Sequence, residues 1–237
     1  CEKFLFFMTF IVAEIGVNWD GDLKLLKDML SHAKLYGFDA VKFQAFNENN
    51  VKDHPEKSRL MESSITDSNI KKIDSLAKQI GIEWFATPMY KEAVSLLDPY
   101  VEKFKIRVSD GRTIFSNTTE LVECVLKTGK EIMISVEKPP PQNFVNNKKI
   151  KWLYCVSKYP CSFSDLDFTN IKYYNGFSNH CPKIIAPLKA FILGAEIIEI
   201  HVTSNKTGDF FDNNVSFDYA EQEILLQYMH ESRQISN

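Results

Sequence analysis

The chain has 237 residues, of which 44% are hydrophobic, and its 28 Lys and Arg against 31 Asp and Glu give a formal net charge of -3 and a pI near 6.0. That length buries a full core and falls within the range of one α/β barrel domain. The lack of a general basic field argues against nucleic acid or an anionic membrane as partner and leaves small-molecule chemistry.

The apolar stretch from Phe4 to Ala13 is too short for a membrane span and runs into Glu14 without a small-residue cleavage site. It predicts a first buried strand over residues 10–15, with residues 1–7 extraneous to a domain that begins near Met8. Asp20 or Asp22 can cap a helix carrying Leu23, Leu26, Leu30 and Ala33 on one face. Strands follow over residues 40–44, 83–86 and 103–108. Between them come a polar loop with Pro55, a helix carrying Ile70, Ile73, Ala77 and Ile80, and a short helix over residues 91–97. A helix over residues 118–127 leads to strand five, residues 132–135. The next connection contains Pro139, Pro140 and Pro141, which forbid a regular helix. Strand six (152–156), a short sixth connection, strand seven (173–177), a helix (182–193), strand eight (197–201) and a helix (218–233) complete the series.

Four times a helical stretch stops at a glycine, Gly37, Gly81, Gly129 or Gly194, and a short apolar run begins. Unbroken apolar runs are the signature of parallel strands covered on both faces. The pattern predicts an α/β fold, a TIM (β/α)8 barrel of one domain with outer helices shortened or missing at the fifth and sixth connections. In such a barrel Gln44, Thr87, Ser135 and His201 end their strands on one common face. The five cysteines are odd in number without a C-x-x-C pair, as expected of reduced thiols in a cytoplasm.

His180 and His201 stand at the ends of the last two strands. Two imidazoles on neighbouring strands, aided by a carboxylate and water, suit a divalent metal such as Mn, Co or Zn, with Mg less apt. His32, His54 and His230 read as helix or loop surface. Lys42 and Lys105 predict a local positive pocket for phosphate or carboxylate, with Ser135, Ser157 and Ser178 as hydroxyl donors and Arg107 as a third cation. Glu14, embedded in a buried strand, requires a partner. Asp212 lies close enough in sequence to reach toward His201.

The runs Ile11-Val-Ala-Glu-Ile-Gly-Val-Asn-Trp-Asp-Gly21, Val41-Lys-Phe-Gln44, Phe85-Ala-Thr-Pro88, Lys127-Thr-Gly-Lys130, Cys155-Val-Ser-Lys-Tyr-Pro160, Ser178-Asn-His180 and Ile198-Glu-Ile-His201, taken in order, resemble the sialic acid synthase family over nearly the whole chain. The resemblance implies a barrel that condenses phosphoenolpyruvate with an open-chain N-acetylated amino sugar, such as N-acetylmannosamine, to give a nonulosonic acid and phosphate. It implies that His180 and His201 hold a divalent metal, typically Mn, and that Lys42, Lys105, Thr87, Ser135 and Ser178 hold phosphoenolpyruvate. Gln44, Tyr159 and Asp212 would face the sugar, Glu14 would manage a proton, and Asp110 is a second candidate for that role.

The chain departs from the family pattern at Trp19 and Asn213, where the family has His, and at Asn179, where it has Asp. Val108-Ser109 and Val136-Glu137 also differ, so the expectation is an altered pocket. The family's C-terminal antifreeze-like domain is not expected within these residues, which suggests a homodimer or a separate lid subunit. Two alternatives stand beside the synthase: a catalytically reduced barrel serving as a ligand-binding or assembly subunit, and a synthase acting on another aldose.

Overall fold

In the computed structural model, which describes residues 9–140 and 147–235, alternating apolar runs and amphipathic helices build a closed barrel of eight parallel strands in sequence order. The strands are β1 (Phe10–Gly16), β2 (Ala40–Ala45), β3 (Glu83–Pro88), β4 (Lys103–Ile106), β5 (Glu131–Val136), β6 (Ile150–Cys155), β7 (Gly176–Asn179) and β8 (Ile197–His201). Closure is made by β1 on β8, with Phe10 to Glu14 paired in register with Ile197 to His201. The expectation about residues 1–7 and the centre of the proline-rich stretch, 141–146, lie outside the described residues.

The helices are α1 (Leu23–Tyr36), α2 (Lys57–Glu62), α3 (Ile70–Ile80), α4 (Lys91–Leu97), α5 (Val108–Gly111), α6 (Glu120–Lys127), α7 (Ile185–Ile192) and α8 (Tyr219–Ile235). The Asp22 side chain accepts from the backbone N–H groups of Lys24 and Leu25, which starts α1, and Gly37, at φ 89°, ends it. Leu26, Met29, Leu30 and Ala33 are the buried stripe of α1, and Ile70, Ile73 and Ala77 are that of α3. These stripes cover the outward faces of the strands, and together they form one continuous core.

Three elements differ from expectation. β7 starts at Gly176, because Ile171–Tyr173 winds into a single 3-10 turn instead of pairing. β4, expected to run to residue 108, ends at Ile106, and Val108–Gly111 forms α5. α2 lies where a polar loop was expected; it buries little beyond Leu60, too weak a pattern to stand out in the sequence. Between β6 and β7 the chain makes only the 3-10 turns Phe163–Asp165 and Ile171–Tyr173.

Gly176 is required by close approach: a Cβ there would lie 2.1 Å from the Ile197 carbonyl oxygen. Gly16 answers two demands at once. The β1–β2 register shifts between Glu14 and Gly16, which has φ 54°, and a Cβ at that point would crowd Glu14, Gln44 and Asp212 at 3.2–3.3 Å.

Candidate active site

Side chains alternate across a strand, so charged residues at even spacing near the strand ends must point into the barrel. Glu14, Lys42, Gln44, Thr87, Lys105, Ser135, Cys155, Ser178, Glu199 and His201 obey this rule, and all line one cavity of about 440 Å³ at the C-terminal end of the strands. Register places Glu14 beside both Lys42 and His201, Gln44 beside Thr87, and Ser178 beside both Cys155 and Glu199. The expected convergence of Gln44, Thr87, Ser135 and His201 is therefore observed.

The floor is a buried network of alternating charge. Lys42 Nζ lies 2.9 Å from Glu14 Oε2 and donates to Thr87 Oγ1 at 3.2 Å. Glu199 Oε1 accepts from Ser178 Oγ at 2.8 Å and from Lys105 Nζ at 3.2 Å, and it lies 3.8 Å from Lys42 Nζ. Gln44 Nε2 donates to Glu14 Oε1 at 2.9 Å. Burial works to raise the Glu199 carboxyl, but Lys105 and Lys42 outweigh it and hold it down to about 2. For Glu14 burial prevails over Lys42 and His201, and its carboxyl is raised above the ordinary range. Two buried carboxylates in one network thus have opposite tendencies, one firmly ionised and one ready to hold a proton.

Above the floor stand the two imidazoles, with ring centroids 5.4 Å apart. His180 Nδ1 hydrogen-bonds the Val156 carbonyl at 2.7 Å, which leaves Nε2 as its lone-pair nitrogen. Burial, then the neighbouring His201, pulls His180 down to about 3, so the ring is neutral. The Tyr159 ring is exposed at the cavity mouth, but desolvation where it meets the site raises its phenol well above the usual range, and its hydroxyl hydrogen-bonds His201 Nε2 at 2.7 Å. The Nδ1 of His201 then faces Asp212 Oδ2 at 3.5 Å. Asp212 is set by its backbone N–H, which donates to Asn18 Oδ1 at 3.0 Å, while Asn18 Nδ2 donates to the Val202 carbonyl and Ser216 Oγ.

His180 has the arrangement of a metal-binding histidine, with Nδ1 engaged by a carbonyl and Nε2 left as the lone-pair nitrogen; His201 has Nδ1 facing a carboxylate, and its Nε2 would have to exchange the Tyr159 hydroxyl for a cation. The neutral state of His180 suits ligation as well. No group of three or more His, Cys, Asp or Glu side chains among the described residues is placed to hold a metal ion. A cation on these two nitrogens would have to complete its shell with water and substrate oxygens, as an open catalytic site does.

Two expected site residues lie elsewhere. Ser157 is exposed outside the cavity, where it bonds Glu137 and accepts from Arg112 Nη2 at 2.9 Å. Strand alternation ends with β6 at Cys155, and the chain beyond it turns the hydroxyl outward. Asp110 lies on α5 and accepts from Arg107 Nε at 2.7 Å; Arg107, Val108 and Ser109 line the cavity, but Asp110 does not. It positions a cation instead of facing the floor.

Three residues were passed over. Glu199, at the centre of the charge network, stands two positions before His201, and period-two alternation alone would have placed it on the same face. Cys155 joins the floor by the same alternation, and His54, exposed as expected, also lines the cavity. The departures from the family pattern fall mostly outside the cavity lining. Trp19 is buried with its Nε1 donating to the Ser63 carbonyl, Asn179 bonds the Cys181 backbone, and Asn213 bonds carbonyls of its own loop. None of these three lines the cavity, whereas Val108-Ser109 does.

A closed parallel barrel with an ionised, register-locked pocket at the C-terminal strand ends is the architecture of a barrel enzyme. The chain belongs to the NeuB family, whose model matches residues 29–237, in agreement with the resemblance found in the sequence. It is 32% identical to an uncharacterized protein of Methanocaldococcus jannaschii over 90% of this chain and 67% of that one. It is 28% identical to the N,N'-diacetyllegionaminic acid synthase of Legionella pneumophila, covering 95% and 72%, and 30% identical to the N-acetylneuraminate-9-phosphate synthase of Mus musculus, covering 92% and 68%. Among solved structures it resembles the N-acetylneuraminic acid synthetase of Leptospira borgpetersenii, determined with citrate, at a TM-score of 0.83 and 26% identity over 97% of this chain and 85% of that one.

Proposed function

We propose that the protein is a nonulosonic acid synthase that joins phosphoenolpyruvate to the aldehyde of an open-chain N-acylated amino sugar and releases phosphate. The observation that carries this reading is the buried Glu14–Lys42–Glu199–Lys105 network lying beside two neighbouring imidazoles in a NeuB-family barrel. An anionic substrate needs fixed cations, and an aldehyde needs a proton source at its oxygen; this cavity supplies both.

In the reaction, C3 of phosphoenolpyruvate forms a bond to the aldehyde carbon, and the aldehyde oxygen becomes a hydroxyl. Water adds to the resulting cationic C2 with loss of a proton, and the tetrahedral centre expels phosphate by C–O cleavage to leave the ketone. Lys42 and Lys105 bind the phosphate and carboxylate, with Ser135, Ser178 and Thr87 as hydroxyl partners. Glu14, whose burial favours protonation, holds the proton exchanged with the aldehyde oxygen or the attacking water, and Gln44 orients it. Tyr159 and Asp212 position the sugar beside His201.

His180 and His201 would hold a divalent cation, Mn most readily, with Co, Zn or Mg as substitutes. Such a cation supplies Lewis-acid polarisation of a carbonyl oxygen when bound. The test is phosphate release with phosphoenolpyruvate, an N-acylated amino sugar and Mn supplied singly and together. Release only with all three supports the reading, and no release across a panel of amino sugars sinks it.

A further inference from the structure

The loop between β8 and α8 carries Asp212, and its two stems are tied together at the base. Phe217 N–H donates to the His201 carbonyl at 2.9 Å and Thr203 N–H to the Phe217 carbonyl at 3.0 Å, while Gln222 Nε2 donates to the carbonyls of Phe217 and Thr203 at 2.8 and 3.3 Å. Val215 and Phe217 are fully buried and anchor the returning stem. These ties close the loop, but they do not fix how far Asp212 stands from the end of β1 across the barrel mouth.

That distance is set by the segment that follows β1. Asn18 is 0% exposed and does not line the cavity; its own N–H donates to the Ile15 carbonyl at 2.9 Å, which fastens it to the strand end. Its Oδ1 accepts from the Asp212 N–H at 3.0 Å, and its Nδ2 donates to the Val202 carbonyl at 2.9 Å and to Ser216 Oγ at 3.0 Å. Ser216 Oγ in turn donates to the Asp212 carbonyl at 2.7 Å. Both backbone polar groups of Asp212 are thus held, one by Asn18 directly and one through Ser216. The side chain is seated by the same segment: a Cβ at Gly16 would lie 3.3 Å from Asp212 Oδ2, so the carboxylate rests against the bare backbone of β1 while it faces His201 Nδ1 at 3.5 Å. A buried amide is costly unless its hydrogen bonds are made, and those of Asn18 converge on the placement of one carboxylate.

Resting on the synthase reading, we infer that Asn18 is a positioning residue of the reaction, which acts through Asp212 by holding that carboxylate against Gly16 and beside His201 before the sugar arrives. A binding group carried on a loop and fixed in advance spares the complex the cost of ordering it. Lys42, Lys105 and their hydroxyl partners stand on the strands, and their placement does not pass through Asn18. Loss of the clamp therefore falls on the sugar and not on phosphoenolpyruvate.

The test is a double-mutant cycle on the full-length protein: wild type, Asn18→Ala, Asp212→Asn and the double variant, assayed with Mn, phosphoenolpyruvate and the amino sugar the wild type uses best. Asn18→Ala is expected to raise KM for the sugar about 10-fold or more, as misplaced binding groups do. KM for phosphoenolpyruvate is expected to stay within about 2-fold, the scatter of independent sites. In the Asp212→Asn background the same substitution should change the sugar KM by no more than about 2-fold, because the group it positions is already gone. Ser216→Ala removes the second tie and should give the same pattern at smaller size; if Asn18→Ala does not fold, the cycle is run with Ser216→Ala and read in the same way. An unchanged sugar KM, an equal rise in both KM values, or an effect of the same size with and without the Asp212 carboxylate shows a merely structural asparagine. Each of these overturns the inference and leaves the synthase reading standing. A wild type that releases no phosphate with any amino sugar overturns both.

Discussion

Glu199 carries more of the site than any other single side chain. It accepts from Ser178 and Lys105 and lies near Lys42, all in a buried setting. Replacing it by Gln removes the carboxylate that both ammonium groups face, and breaking a buried ion pair from one side costs about 3–5 kcal/mol. Glu199→Gln is expected to lose stability on that scale in urea unfolding; a loss below about 1 kcal/mol would show that the lysines relax to water. Glu14→Gln tests a different property. It keeps the size and can still meet Gln44, yet it cannot carry a proton, so kcat is expected to fall by about 10²-fold or more with little change in phosphoenolpyruvate affinity. An unchanged kcat in steady-state assays would remove Glu14 from the proton path.

At the level of elements, the loop between β8 and α8 is tied to α2 by Arg59, which grips Asp20 of the β1 loop and Asp209 of the β8 loop together while covering Phe211. Three segments distant in sequence thus meet at one guanidinium, beside the loop that carries Asp212. Arg59→Ala is expected to raise KM for the sugar about 10-fold or more with a smaller change in kcat, because misplaced binding groups cost orientation; a fall in kcat alone would contradict this. β2, β3, β5 and β8 were readable because each is an apolar block that follows a helix-ending glycine, and register then brought their terminal residues together. What escaped reading had weaker local signals. α2 has little apolar face, β7 is short and begins at a glycine after an aromatic pair that winds into a 3-10 turn, and Ser157 lies just past the end of a strand, where alternation no longer fixes direction. Glu199 was legible from its spacing to His201. His54 was not, since only the return of Phe211 across the barrel mouth makes a loop histidine part of the cavity.

At the scale of the whole molecule, closure of the ring by β1 on β8 is what sets Glu14 beside His201, so anything bound between the last two strands and the first stabilises the complete cooperative unit. No helix among the described residues is long and apolar enough to cross a membrane. A ligand that binds only the folded state adds about 2.7 kcal/mol at a hundred times its Kd. For a chain of this size that corresponds to a rise of roughly 5–10 °C in Tm. Mn added to the metal-stripped protein is expected to give such a rise, with one ion bound per chain by elemental analysis. His180→Ala and His201→Ala should each abolish both effects, because each leaves a single imidazole and no third His, Cys, Asp or Glu side chain of the described residues placed to replace it. A variant that keeps both the ion and the thermal shift would locate the cation away from these two strand ends and separate the histidines from metal binding altogether.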